Sequence, residues 1–208
     1  MSLASGLADG LAALAIDMPA AAQAAQIRYL ELIEKWNKVH NLTAIRDPEQ
    51  MLAHHLLDSL AVLPFLRAAK SLIDVGSGAG LPGIPLAIAK PELAVTLVES
   101  SHKRQAFQQQ CKAELGLSNV TPIHSRVEDF RVKEGFDVVI SRAFSDLSDF
   151  VGAARHLCAE SGRLWAMKGL HPYEEIAKLP DWARVVMIKP LKVPHLDAVR
   201  HLLEIEIV

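Results

Sequence analysis

The sequence predicts an α/β protein: a doubly wound, Rossmann-like sheet of seven mostly parallel strands with an antiparallel last strand, preceded by a helical extension. Three observations predict it. From about residue 70 onward, short apolar runs alternate with helical patterns. The stretch SLIDVGSGAGLPGIPLAIAKPELAVTLVES (71–100) sets an acid at the end of one strand, then a glycine turn, then a second acid at the end of the next strand. The closing segment KVPHLDAVRHLLEIEIV has no room for a crossover helix, so the final two strands must pair antiparallel.

The elements follow in order. Residues 1–69 read as a helical extension and 70–208 as the sheet-bearing domain. Ile27, Leu30, Ile33 and Trp36 recur at helical spacing, and NKVHNLTAIRDPEQ breaks the pattern. Asp47 then caps a new helix, with Pro48 as its first residue and Gln50 completing a capping box; MLAHHLLDSLAVLPFL continues it to about Leu66. Strands are expected at 72–75, 94–99, 119–124, 136–141, 163–168, 183–190 and 201–208, and helices at 84–90, 103–115, 147–159 and 173–179. Pro122 cannot donate to a ladder, which places the third strand at an edge of the sheet.

Composition narrows the class. A chain of 208 residues, half of them hydrophobic, buries one core. No apolar run approaches the ~20 residues of a membrane span. The Ala-rich start imitates a signal peptide, but no Lys or Arg precedes Arg28, and Asp9 and Asp17 interrupt it; it reads as an amphipathic helix. Cys111 and Cys158 fall inside helical patterns without metal-type spacing, which fits inert thiols in a reduced, cytoplasmic protein. The nine histidines show no ligand spacing either, so no metal is expected. A net charge of −2 means that any nucleic-acid surface must gather its cations on one face.

The glycine turn suggests a ligand. Dinucleotide sites favour G-x-G-x-x-G led by an apolar residue. Here the spacing is Gly76, Gly78, Gly80, and the residue two before the first glycine is Asp74. A carboxylate there repels a pyrophosphate and suits a ligand carrying ammonium and sulfonium charge. Glu99 can accept two ribose hydroxyls. Asp74, Gly76, Gly78, Gly80 and Glu99 together describe S-adenosyl-L-methionine, with S-adenosylhomocysteine as its product.

Beyond the cofactor, a resemblance carries the reading. IDVGSGAGLPGIPLAI, NLT at Asn41–Thr43, HLLDSL at His55–Leu60, SRVEDF at Ser125–Phe130, ISRAF at Ile140–Phe144 and MKG at Met167–Gly169 closely resemble the bacterial 16S rRNA guanine-N7 methyltransferase family (RsmG, also called GidB). The likeness runs in order from about Trp36 to the C-terminus. It implies a class I methyltransferase fold with an N-terminal helical extension. It also implies methylation of one guanine in the decoding-region loop of small-subunit rRNA, free or in an assembling subunit; separately from it, a cytoplasmic monomer without membrane or metal is expected. Carried over by position, its cofactor contacts add Leu81, Val127, Glu128 and Arg142 to Gly76. The chain departs from the family where Ala198-Val199 precede Arg200, and of His54 and His55 only His55 matches.

Chemistry weighs the remaining candidates. Cytosine-C5 transfer needs a nucleophilic Cys, and amino methylation an Asn/Asp-Pro-Pro-aromatic run where this chain has Ser141-Arg142-Ala143-Phe144. A ring nitrogen or oxygen acceptor remains; for the guanine N7 that the resemblance implies, which carries no proton, no general base is expected. Arg142 and Lys168 end strands at the carboxyl edge and are candidates for positioning the target; Phe144 is a candidate stacking platform. Arg46, His55, Lys103, Arg104, Arg126 and Arg200 are candidates for a phosphate-binding rim. Two other readings stand beside this one: a small-molecule methyltransferase on the same fold, and a non-catalytic ribosome-assembly factor. The second requires eroded cofactor residues, whereas Asp74, the three glycines and Glu99 are all present.

Overall fold

In the computed structural model, which describes residues 2–208, the helical extension forms first. α1 (Leu3–Ala13) starts at Ser2, whose hydroxyl accepts from the Ser5 amide. α2 (Ala20–His40) ends at Asn41, whose φ of 47° is the left-handed conformation that Asn tolerates. Asp47 and Pro48 open α3 (Pro48–Met51) as expected. The Asp47 carboxylate accepts from the Glu49 amide at 2.8 Å, a local Asx contact in place of the capping box expected with Gln50.

The next segment departs from the sequence expectation. Leu52–Leu57 is a π-helical turn, followed by α4 (Asp58–Leu60) and a 3-10 turn at Leu63–Phe65. The Asp58 amide donates to the carbonyls of Ala53 and His55 and bypasses the α-helical acceptor His54. The His54 carbonyl accepts from Arg142 Nη1 at 3.1 Å. A partner from the sheet therefore satisfies the carbonyl that the wider turn releases, and π-turns recur at functional sites for this kind of reason.

Seven strands make one sheet: β1 (Ser71–Val75), β2 (Ala94–Glu99), β3 (Val120–His124), β4 (Phe136–Ser141), β5 (Cys158–Lys168), β6 (Ala183–Leu191) and β7 (Arg200–Ile207). Their order is β3-β2-β1-β4-β5-β7-β6, with β7 antiparallel to both neighbours and the other pairings parallel. β3 is an edge, as Pro122 requires. The crossover helices are α5 (Gly83–Ala89), α6 (His102–Leu115), α7 (Leu147–Ala154) and α8 (Tyr173–Ala177).

One boundary is corrected. α7 stops at Ala154, and a 3-10 turn leads into β5 at Cys158, so Cys158 is not in a helix. The ladder pairs Phe136 with Cys158 and then Val138 with Arg163, so residues 159–162 bulge out. A Cβ on Gly162 would lie 2.5 Å from the Phe136 carbonyl oxygen, so this close approach needs glycine. A bulge of this kind breaks the two-residue period on which strand reading depends. Burial pushes the Cys158 thiol up to about 11 and raises that of buried Cys111 further, which suits unreactive thiols.

Alternating strand residues feed two cores. Leu72, Leu97 and Ile140 face α5, α6 and the helical extension, sharing one cluster with Leu7, Tyr29, Ile33 and Leu56. Ile73, Val75, Val139 and Leu164 face α7 through Phe150 and Val151. The extension is thus packed into the same core as one sheet face, and it carries loops to the carboxyl edge.

Candidate cofactor and nucleic-acid site

The strand order reverses between β1 and β4, where open α/β sheets bind ligands. The glycine turn leaves β1 there with φ of 67° at Gly76, 58° at Gly78 and 90° at Gly80. The amides of Gly76 and Ser77 donate to the Val98 carbonyl at 3.0 and 3.2 Å, pinning the turn to β2. A Cβ on Gly78 would meet nothing within 4 Å, so its open side faces space that a ligand can fill.

Both acids lie beneath this turn. Glu99 accepts from the Gly78 amide (2.8 Å) and the Ser101 amide (2.8 Å), one on each carboxylate oxygen, and is buried. Asp74 is fully buried; Oδ2 accepts from the Gly83 amide at 2.8 Å, while Oδ1 has no hydrogen-bond partner. An orphaned buried oxygen is costly and marks a place for a donor.

Three cavities meet along the edge. One of about 190 Å³ is lined by Gly76, Val98, Arg126, Val127, Glu128 and Phe144. A second of about 200 Å³ is lined by Thr43, Gly76, Gly78, Leu81, Arg104 and Arg142, and the two share Gly76 and Ala143. A third of about 340 Å³, lined by His54, Asp58, Met167, Lys168 and Arg200, adjoins the second through His55 and Arg142. Gly76, Gly78, Leu81, Val127, Glu128 and Arg142 are therefore brought together. Asp74 and Glu99 line neither of the first two cavities and hold amides of the turn and its flanks. The residues fit a nucleoside with a cationic tail: an apolar wall at Val98 and Val127, a glycine cradle and two buried carboxylates.

Several cations sit differently from the sequence expectation. Lys168 Nζ donates to the Phe144 and Ser145 carbonyls (3.1 and 2.8 Å) and to Glu175 Oε2 (2.6 Å), which occupies its three donors internally. Arg200 Nε donates to Asp58 Oδ1 at 3.1 Å, so its charge is already paired. His55 is buried, with Nε2 3.1 Å from Thr43 Oγ1; burial and then Arg142 push its pKa down to about 4. A neutral imidazole adds nothing to a phosphate rim at pH 7. Phe144 packs on Phe150 (ring centroids 5.4 Å apart) and lines the first cavity, away from Arg200. Arg46, Lys103, Arg104 and Arg126 are exposed; Arg46 is anchored by Asn41 Oδ1 at 3.0 Å.

Asp58 is the functional candidate that sequence reasoning missed. It is 3 % exposed and takes Arg142 on Oδ2 (2.7 Å) and Arg200 on Oδ1 (3.1 Å). One carboxylate between two guanidiniums leaves this trio with a single net positive charge. The signal was faint: an acid three residues after His55 in an otherwise apolar helix.

Asp74 carries a pH prediction. Burial pushes its carboxyl up to about 7, against the Gly83 amide and Arg142, which both favour the charged form. An unfolded Asp titrates near ~4. Between these values the folded chain holds a proton that the unfolded chain releases. Stability from this group is therefore full below ~4 and is lost as pH rises towards 7. At ~1.4 kcal/mol per unit, the loss reaches a few kcal/mol at most. Asp74→Asn keeps an acceptor for Gly83 and cannot ionise. Thermal melts should show the variant gaining on the parent from pH 5 to pH 8; a constant difference would contradict this titration.

Comparison with known proteins places these features in a family. The family described as "GidB: rRNA small subunit methyltransferase G" matches residues 22–203. The chain is 56 % identical over 202 residues to ribosomal RNA small subunit methyltransferase G of Azoarcus sp. (strain BH72), covering 97 % of this chain and 95 % of that protein. It is 56 % identical over 209 residues to the protein of that name from Nitrosospira multiformis, covering 97 % and 96 %. The fold also resembles NcsB1, an O-methyltransferase from neocarzinostatin biosynthesis solved with S-adenosylmethionine: TM-score 0.61, 15 % identity, 77 % of this chain and 56 % of that one. The architecture is that of class I methyltransferases, and the chain belongs to the GidB family, rRNA small subunit methyltransferase G.

Proposed function

We propose that this protein methylates N7 of one guanine in small-subunit rRNA, using S-adenosyl-L-methionine. The observation that carries this reading is the family match over residues 22–203, together with relatives named for small-subunit rRNA methylation at 56 % identity. In this reading the sheet-bearing domain (70–208) holds the donor, the helical extension (1–69) supports it, and the enzyme works as a cytoplasmic monomer without metal. Gly76, Gly78, Leu81, Val127 and Glu128 contact the donor, Gly80 shapes the turn against Ile84, and Asp74 and Glu99 lie behind it. The third cavity receives the target nucleotide, and Arg142 forms the wall between the two.

Bound S-adenosylmethionine contributes a sulfonium methyl and departs as S-adenosylhomocysteine. Guanine N7 carries an in-plane lone pair and no proton, so no side chain has to remove one. The chain's task is alignment, an effect that can lower a barrier by as much as ~7–11 kcal/mol. Arg142 and Arg200, whose two charges Asp58 balances only once, hold the nucleotide, and neutral His55 takes no part in proton transfer. The single-turnover rate with saturating RNA and cofactor should accordingly stay nearly flat from about pH 6.5 to 9. A tenfold rise per pH unit, abolished by replacing one His or acid outside the cofactor pocket, would reveal a general base and overturn this mechanism.

The test of the function is transfer of an isotope-labelled methyl from S-adenosylmethionine to free rRNA and to small subunits, followed by nuclease digestion and mass analysis. 7-Methylguanosine as the single labelled nucleoside is expected. Label on an exocyclic amine or ribose oxygen would contradict it.

A further inference from the structure

The helix that leads into this site is built to hold it. A helix that only padded the sheet would bury apolar side chains, yet α2 also buries Gln26, Tyr29 and Asn37, at 0, 0 and 2 % exposure. None of these bonds stays within α2. Tyr29 Oη donates to the Ala79 carbonyl in the glycine turn at 2.6 Å. Gln26 Nε2 donates to the Pro85 carbonyl of α5, just beyond that turn, at 2.8 Å. Asn37 Oδ1 accepts from the Thr43 amide at 3.0 Å, and its Nδ2 donates to the Ile45 carbonyl at 3.3 Å.

Two of these bonds, those of Tyr29 to Ala79 and of Asn37 to Thr43, end on residues that line one cavity. Ala79 of the glycine turn and Leu42 and Thr43 of the loop after α2 all line the 200 Å³ cavity. Tyr29 and Asn37 are eight residues apart on one continuous helix, little more than two turns. A single rigid rod therefore sets the spacing of turn and loop.

We propose that α2 is a positioning element for the cofactor: Tyr29 fixes the Ala79 turn, and Asn37 fixes the Leu42–Thr43 loop against it. This rests on the reading of that cavity as part of the S-adenosylmethionine site, and it assigns α2, within the helical extension, to the cofactor. Removing the Tyr29 hydroxyl leaves the Ala79 carbonyl unpaired and lets the turn move relative to the loop.

The experiment is calorimetric titration of the full chain with S-adenosylmethionine at 25 °C, for the unmodified protein, Tyr29→Phe, and Val151→Ala as a stability control in the opposite core. Tyr29→Phe should weaken cofactor binding about tenfold, with cofactor-free RNA affinity unchanged. Val151→Ala should lower the melting temperature and leave cofactor affinity within about twofold. Equal cofactor affinity in Tyr29→Phe and the unmodified chain would reduce α2 to packing and overturn the proposal. No binding by the unmodified chain would instead bring down the reading of the site, and this inference with it. Hydrogen exchange on the unmodified chain needs no variant to fold. Cofactor should slow exchange at both Ala79–Leu81 and Leu42–Ile45 relative to α7. Protection of the glycine turn alone would also overturn the coupling.

Discussion

Gly78→Val should fold and lose S-adenosylmethionine. At φ 58° a branched residue is strained by about 1–3 kcal/mol, which lowers stability without unfolding the chain. Its Cβ meets no protein atom within 4 Å, so the steric conflict falls on whatever occupies the cradle. Calorimetry should show affinity reduced on the order of 100-fold, equivalent to ~2.7 kcal/mol. Gly83→Ala gives the contrast: its Cβ would stand 2.3 Å from Leu97 Cδ2 and 3.0 Å from Asp74 Oδ2, so that change disturbs the core itself. Glu99→Ala removes a charged acceptor from the amides of Gly78 and Ser101, a loss of roughly 1.5–3 kcal/mol. Unchanged cofactor affinity in both Gly78→Val and Glu99→Ala would remove the glycine turn from the cofactor site.

Asp58→Ala should be the most damaging single change at the target side. It leaves Arg142 and Arg200 facing each other around an uncompensated cavity. Breaking a fully buried pair costs about 3–5 kcal/mol; with both guanidiniums about a quarter exposed, about 2–3 kcal/mol is expected in urea melts. Arg142 would lose its anchor at the border of two cavities, and a displacement of 1 Å can cost a hundredfold in rate. Single-turnover methyl transfer should fall on the order of 100-fold. RNA binding should become more salt-dependent, because the cavity gains one net positive charge. A variant that melts lower yet transfers methyl at the parental rate would confine Asp58 to stability.

What the sequence revealed and what it hid follow from physical range. β2 and β4 were readable because their patterns are continuous and local. Asp74, Gly76, Gly78 and Glu99 were readable because a glycine turn between two strand-end acids is itself a local pattern. The π-turn at Leu52–Leu57 was not, since its His54 carbonyl is satisfied by Arg142, 88 residues away in sequence. Asp58 stayed hidden because its partners lie 84 and 142 residues downstream. Lys168 was located correctly at the end of β5, but its pairing with Glu175 depends on how α8 returns over the strand. His55 shows the same limit: the residue type is legible, whereas the burial that keeps it neutral is tertiary.

The central claim is that this chain puts one methyl group on one guanine of small-subunit rRNA. Mass mapping of that rRNA from a strain lacking the protein tests it most directly. A single 7-methylguanosine should disappear, return with the unmodified gene, and not return with Gly78→Val. An rRNA methylation pattern identical with and without the protein would contradict it.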